Sequence, residues 1–130
     1  GREQQLILAN QIRDEVQIDK RLIENLKLQL TVNNIDVLIV DPFVSSHRVN
    51  EMDNGKIDYV TKEWMRLAEH CGCAVELVHH TRKLNGAEAT SDASRGASSL
   101  INAARSARVL QRLPDDELRE AGVAGDGCTY

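Results

Sequence analysis

The length of this chain, 130 residues, allows one sizeable buried core and excludes two comfortable domains. A hydrophobic share of 42% and a charged share of 28% are ordinary for a globular protein, and no apolar stretch reaches the roughly 20 residues that span a bilayer. A net charge of −4 argues against a broad nucleic-acid-binding face, and an aromatic share of 3% argues against base stacking on an aromatic platform.

The first predicted elements are a short strand and a helix. Residues 6–9 are apolar enough for a strand, and the rest of residues 1–18 predicts a linker. Asp19 is placed to cap a helix whose buried stripe is Leu22, Leu26 and Leu30, with Ile18 and Ile23 as a hydrophobic staple. Asn33-Asn34 should end that helix.

A strand, a helix and a second strand follow. Residues 35–40 form a near-continuous apolar run, which predicts a strand covered on both faces. After a polar loop over 42–55, a helix is predicted by the apolar stripe Ile57, Val60, Trp64, Leu67 and Cys71. Gly72 is a natural C-cap, and strand 74–79 comes next. A unit of this length predicts a parallel strand pair with a right-handed crossover.

The last part of the chain predicts shorter elements. Residues 84–94 have a loop composition, 97–104 predict a short helix and 107–113 a strand. Pro114 suits the first turn of another helix, which Gly122 should end. The tail, 125–130, is typical of a turn that leads into a further strand.

The cysteines indicate a reducing compartment. There are three, and an odd number fits the cytosol better than a disulfide framework. The single residue between Cys71 and Cys73 is not the usual zinc spacing. We therefore expect a cytoplasmic protein in which these two side chains fill space between a helix and a strand.

Two predicted strands end in residues that suit phosphate and metal chemistry. Asp41 follows strand 35–40, and a single fixed carboxylate suits Mg²⁺, which keeps most of its water ligands. The alternative is an aspartate that only opens a turn before Pro42. His79 and His80 end the second strand and should point to opposite faces. An imidazole there can bond a phosphate oxygen, although a solvent-facing pair at a fraying strand end is the alternative.

Two arginines flank the predicted helix 97–104. Arg95 precedes it and Arg105 follows it. A guanidinium is well suited to stabilise charge on a transferring phosphoryl group, whereas two ordinary surface arginines are the alternative.

In this order, the segments resemble the RecA-like ATPases, and most closely the RepA-type hexameric replicative helicases of plasmids and phages. Residues 35–42 resemble the Walker B strand, with Asp41 at the magnesium position. Residues 73–83 resemble the sensor strand, in which His80 best matches the γ-phosphate-sensing histidine and His79 is a near alternative.

The resemblance continues to the end of the arginine-containing segment. Residues 94–105 resemble the segment that ends in an arginine finger, with Arg105 at that position. The resemblance also implies that the loops after strands 35–40 and 74–79 line a channel for single-stranded DNA. The residues in these loops that would contact the DNA are Ser46, His47, Arg48 and Lys83. Both loops carry few positive charges, so ordinary solvated loops are the alternative.

One large departure from the family is the phosphate loop. No G-x-x-x-x-G-K-[ST] sequence occurs in the 130 residues, and neither does a strand-end glutamate that would activate water. We therefore expect an α/β chain that is the C-terminal part of a RecA-like three-layer fold with a mainly parallel sheet, spanning residues 1–130. By itself it should neither bind ATP tightly nor hydrolyse it.

The function that this resemblance implies belongs to a complete parent protein. It is part of an ATP-driven ring helicase or DNA-translocating ATPase of plasmid or phage replication, using ATP and Mg²⁺, with Mg²⁺ held by Asp41 through water. The expected partners are further copies in a ring, a hexamer by the resemblance, and single-stranded DNA, with no membrane. The alternatives are a metal-dependent phosphohydrolase that uses Asp41, His79 and His80, and a non-catalytic partner-binding domain.

Overall fold

A computed structural model describes residues 6–80, 97–110 and 115–120 together with Gly122. The strands and helices in chain order are β1 (Ala9–Ile12), β2 (Glu15–Ile18), α1 (Lys20–Val32), β3 (Val37–Val40), β4 (His47–Arg48), α2 (Asn54–Cys71), β5 (Ala74–Leu77), α3 (Ala97–Ala103) and α4 (Asp115–Glu120). A 3₁₀ helix, Phe43–Ser46, lies between β3 and β4. The predicted α/β class is confirmed.

The described strands form two small sheets. β3 and β5 pair in parallel, with Val37 opposite Ala74 and Val40 opposite Leu77. β1 pairs antiparallel with β2 and parallel with β4, which gives the order β2-β1-β4. The predicted parallel pair flanking α2 is therefore confirmed, and the second sheet is a feature that the sequence did not indicate.

Local signals set the ends of the two long helices. The Asp19 carboxylate accepts a hydrogen bond from the Leu22 amide at 3.0 Å and begins α1. The Asp53 carboxylate accepts one from the Lys56 amide at 3.1 Å and begins α2. Gly72 ends α2 in the left-handed conformation, with φ 64°. The predicted caps at Asp19 and Gly72 are confirmed.

The core collects around α2. Ile57, Val60, Trp64 and Leu67 are buried, and the two half-buried cysteines 71 and 73 pack against them, as predicted. The other buried apolar residues in the described part of the chain come from the β1 region, α1, the segment after β3 and α3: Leu8, Ala9, Leu30, Phe43, Val49 and Leu100.

Gly72 provides a stability test with an internal control. Gly72→Ala should cost about 1–2 kcal/mol of unfolding free energy, because an L-residue is strained at positive φ although no atom lies within 4 Å of the added Cβ. Gly55→Ala, inside α2 and in ordinary contact with Asp53, should instead stabilise by about 0.5–1 kcal/mol. Urea denaturation of both variants measures this difference, and equal effects would contradict it.

The predicted strand at residues 6–9 is wrong in position, and the linker assigned after it is partly wrong. β1 begins at Ala9, and β2 follows after a turn at Arg13 and Asp14. Arg13 adopts φ 57° without the glycine or asparagine that usually marks such a turn. The hairpin therefore had no clear local signal.

Three further expectations need correction. The predicted loop at 42–55 contains the 3₁₀ helix, β4 and the start of α2. Residues 107–110 of the predicted strand 107–113 have no regular structure, because they pair with none of the described strands, and 111–113 lie outside the described residues. β3 is covered on one face: Leu38 and Val40 pack against the core, whereas Val37 and Ile39 are exposed. A continuous apolar run does not reveal how many faces are covered.

Other predicted features at the end of the chain have separate outcomes. The short helix near 97–104 and the helix after Pro114 are confirmed, and Gly122 follows the latter with φ 69°. The predicted loop 84–94 and tail 125–130 lie outside the described residues. Across the described segments, no helix combines the length and apolar character that crossing a bilayer requires.

Candidate functional site

Asp41 and His80 meet just beyond the C-terminal ends of β3 and β5. The His80 Nε2 atom lies 3.1 Å from the Asp41 Oδ1 atom, although the two residues are 39 positions apart in the chain. Their side chains are 55% and 70% exposed, so the pair contributes little to stability and both groups are open to a ligand. A carboxylate and an imidazole are thus available together at the sheet edge where α/β folds bind ligands.

Backbone pairing continues past the two strands and fixes this arrangement. The Val78 amide donates to the Val40 carbonyl at 2.9 Å, and the Phe43 amide donates to the Val78 carbonyl at 2.7 Å. Asp41 therefore lies between two anchored residues of its own segment. His80 follows Val78 closely, so the same bonds hold both site residues near each other.

His79 faces a different environment from His80. It is half-buried and lines a small cavity with Phe43, Glu51, Ile57 and Leu100. The two adjacent histidines therefore have separate surroundings. His80, which the resemblance predicts for the sensor position, contacts Asp41, and His79 lines the cavity on the inner side of the same region.

The segment predicted to bind nucleic acid is mostly buried. The side chains of Ser46 and His47 lie inside the protein, and Arg48 is exposed. The Ser46 hydroxyl donates to the Phe43 carbonyl at 2.7 Å, and the Ser46 carbonyl accepts from the Leu8 amide at 2.7 Å. Pairing with β1 draws the segment inward and leaves Arg48 as the member of this trio open to a ligand. Lys83 lies outside the described residues, and DNA binding stays a prediction.

His47 is a buried histidine that is only 5% exposed. Its ring lies 4.7 Å from the Phe43 ring, between centroids, and its Nδ1 atom accepts a hydrogen bond from the Val49 amide at 3.3 Å. The proton of the neutral ring is therefore on Nε2, which has no hydrogen-bond partner among the described residues. Burial lowers the pKa of His47, and Glu51 opposes this shift.

This lowered pKa predicts acid sensitivity. Between the folded pKa and the unfolded value near 6.5, the unfolded chain binds more protons, so the free energy of unfolding falls as pH drops through that window. The slope is at most about 1.4 kcal/mol per pH unit, and His47 adds none above the window. Urea denaturation from about pH 5 to 7.5 should show this slope. His47→Phe should reduce it, whereas His70→Gln, at an exposed position, should retain it; equal slopes in both variants would contradict the assignment.

Arg105 lies away from the Asp41–His80 pair. Its side chain is 89% exposed, and its guanidinium lies 3.9 Å from a Glu69 carboxylate oxygen near the C-terminal end of α2. That end of α2 leads through Gly72 into the start of β5, whereas Asp41 and His80 lie beyond the ends of the strands. The structure therefore does not bring Arg105 to the site on its own chain. Arg95 lies outside the described residues.

One ion pair in this region was not predicted. The Arg108 guanidinium donates to the Glu76 carboxylate at 2.8 Å and links the segment after α3 to β5. No short-range motif signals it, because the two residues are 32 positions apart. Within 6–80, 97–110 and 115–120, no group of three or more His, Cys, Asp or Glu side chains is arranged to hold a metal ion.

Comparison with known proteins gives one family. A family model described as an AAA domain matches residues 1–86, which include Asp41, His79 and His80 but end before Arg95 and Arg105. No curated protein sequence and no solved structure matches the chain significantly. The matched region covers about two-thirds of the 130 residues and contains both strands of the parallel pair. The chain therefore belongs to the AAA domain family, and its domain is of the P-loop ATPase type.

Proposed function

We propose that this domain is part of an ATP-driven, ring-forming DNA helicase or DNA-translocating ATPase. The observation that carries the proposal is the 3.1 Å contact between Asp41 and His80 at the C-terminal edge of parallel β3 and β5. The AAA domain match supports the ATPase part of the proposal, since such domains use a nucleotide and Mg²⁺. The sequence resemblance to RepA-type helicases supports the parts of the proposal that concern ring formation and action on DNA.

Asp41 is the residue that we assign to Mg²⁺. Its carboxylate is more than half exposed, at the end of a paired strand. Mg²⁺ prefers oxygen ligands, retains several waters and needs only one or two carboxylates from the protein. An exposed and positioned carboxylate fits that demand through a bridging water. Bound Mg²⁺ would neutralise charge on the phosphates.

His80 is the residue that we assign to the γ-phosphate. Its Nε2 atom lies 3.1 Å from the Asp41 Oδ1 atom, and the side chain is largely exposed. An Nε2–H group can donate either to the Asp41 carboxylate or to a phosphate oxygen. If His80 changed its hydrogen-bond partner from Asp41 to the γ-phosphate, the hydrogen bonding of the proposed magnesium ligand would change. Loss of the γ-phosphate on hydrolysis would then be detected at Asp41.

Arg105 is the residue that we assign to a neighbouring subunit's site. It is almost fully exposed and lies beside Glu69, toward the end of the sheet opposite Asp41. A finger that serves its own site would have to lie near Asp41, whereas one that serves a neighbour has to project from the surface. The observed exposure suits the second role.

The DNA-binding part of the proposal can be tested on the full-length protein. Single-stranded DNA should increase its Mg²⁺-dependent ATPase rate, and Arg48→Ala should weaken DNA binding because Arg48 is exposed at β4. Arg21→Ala, at an exposed position on α1, is the matched control and should leave binding unchanged. Fluorescence anisotropy with a labelled oligonucleotide measures both. Equal DNA binding by the two variants would contradict the assignment of Arg48 as a DNA-binding residue. If DNA does not change the ATPase rate, the helicase proposal fails.

A further inference from the structure

We infer that Phe43 is a positioning residue that holds the Asp41 carboxylate beside His80. The inference rests on the proposed function for its consequence in catalysis, and on the geometry of the segment after β3 for its structural content. No local motif marks Phe43, which lies in the stretch that the sequence predicts as a polar loop.

The first argument is the bond that Phe43 makes to the other strand. Its amide donates to the Val78 carbonyl at 2.7 Å, and the Val78 amide donates to the Val40 carbonyl at 2.9 Å. Val78 is thus hydrogen-bonded to one residue before Asp41, Val40, and to one residue after it, Phe43. The carboxylate of Asp41 is carried by a short span between these two bonds, and His80 lies just past Val78. Loss of the Phe43 bond would leave Asp41 attached to β5 on one side alone.

The second argument is the burial that holds Phe43 in place. Its side chain is 2% exposed and packs against the His47 ring, with 4.7 Å between ring centroids. Phe43 also lines a small cavity together with His79, the neighbour of His80 in the chain. The Phe43 ring therefore lies close to the segment after β3, through His47, and to the segment after β5, through His79. A buried aromatic ring with two such neighbours has little freedom, and its backbone amide shares that restriction.

The third argument is the anchorage of the segment beyond Phe43. The Ser46 hydroxyl donates to the Phe43 carbonyl, and β4 pairs with β1 directly afterwards. His47 and Val49 are buried, and the Val49 amide bonds the His47 ring. Phe43 is accordingly fixed from its C-terminal side by a second sheet. Asp41 and His80 follow the strands of the β3–β5 sheet. Phe43 connects this sheet to the sheet of β1, β2 and β4, and the packing of that sheet restricts the movement of the segment that contains Asp41.

The test measures the Asp41–His80 contact directly, without relying on ATPase activity. Because the two side chains are in contact, Asp41→Asn should shift the His80 imidazole signals in an NMR spectrum of the protein. In a Phe43→Ala background the same substitution should shift them by less than half as much, and Phe43→Leu, which is apolar but lacks the aromatic ring, should give a response between that of Phe43→Ala and the full one. Leu67→Ala, an equally buried truncation on α2, is the matched control and should preserve the full response.

The outcomes separate positioning from general destabilisation. A His80 response in Phe43→Ala equal to that in Leu67→Ala would overturn the inference. Loss of the response in both variants would also overturn it, because any truncation in the core would then have the same effect. If Phe43→Ala does not fold, Phe43→Leu decides: a response below that of Leu67→Ala supports the inference, and an equal one overturns it.

A second readout connects the contact to catalysis in the full-length protein. Phe43→Ala should lower kcat by up to about 10²-fold and raise the Mg²⁺ concentration that gives half-maximal activity, with a smaller change in KM for ATP. Leu67→Ala should change none of these by more than its effect on the folded fraction. If Asp41→Asn leaves hydrolysis intact, the proposed function fails, and the NMR comparison still decides the role of Phe43.

Discussion

Replacing Asp41 with asparagine should reduce ATP hydrolysis by the full-length protein by about 10²–10³-fold, while nucleotide binding weakens much less. Asparagine keeps the size of the side chain and removes the charge that would orient hydrated Mg²⁺. Asp41 is more than half exposed and makes its contact with His80 at the protein surface, so the fold should tolerate the change. Steady-state ATPase rates and calorimetric binding of a non-hydrolysable ATP analogue measure the two effects.

The same strand offers a matched control for this experiment. Asp36 lies just before β3, at the opposite end from Asp41, and is also exposed. Its side chain is not assigned to the site, so Asp36→Asn should hydrolyse ATP at the normal rate. Thermal melting should show that both variants are folded. Hydrolysis at the wild-type rate by Asp41→Asn would make Asp41 a turn residue before Pro42 and would remove the Walker B assignment.

Removal of the Arg105 guanidinium should reduce the ATPase rate of the ring by about 10³–10⁵-fold, because an arginine that stabilises transition-state charge contributes on that scale. The side chain is 89% exposed, and the Glu69 carboxylate is 3.9 Å away, so Arg105→Ala should fold normally. Arg108→Ala is a control in the same segment. Its guanidinium is engaged by Glu76 at 2.8 Å, and we expect a small effect.

A mixing experiment separates a finger that acts in trans from one that acts in cis. In the complete parent protein, Arg105→Ala subunits are combined with subunits in which the expected phosphate loop, which these 130 residues do not contain, has been disabled. If Arg105 acts in trans, an intact arginine of the second kind serves an intact nucleotide site of the first, and part of the activity returns. If it acts in cis, every site stays broken. No recovery in rings shown by native mass spectrometry to be mixed would overturn the trans assignment.

The sequence determined the helices and the parallel strand pair. The stripe from Ile57 to Leu67 repeats at helical spacing, and Asp19 and Gly72 act within one turn of the helix ends that they cap. Such signals depend on residues three or four positions apart and can be recognised in a short stretch of sequence. The placement of Asp41 at a strand end follows in the same way, because an apolar run that stops at an acid marks its own boundary.

Only the tertiary structure decided which groups meet. The alternation of side chains put His79 and His80 on different sides, but the contact between His80 and Asp41, which are 39 positions apart, depends on the register in which β3 pairs with β5. The burial of His47 follows from pairing of β4 with β1, and the position of Arg105 follows from the packing of α3 on α2. These contacts join distant parts of the chain, and their free energies depend on long-range pairing and packing that no local pattern of residues encodes.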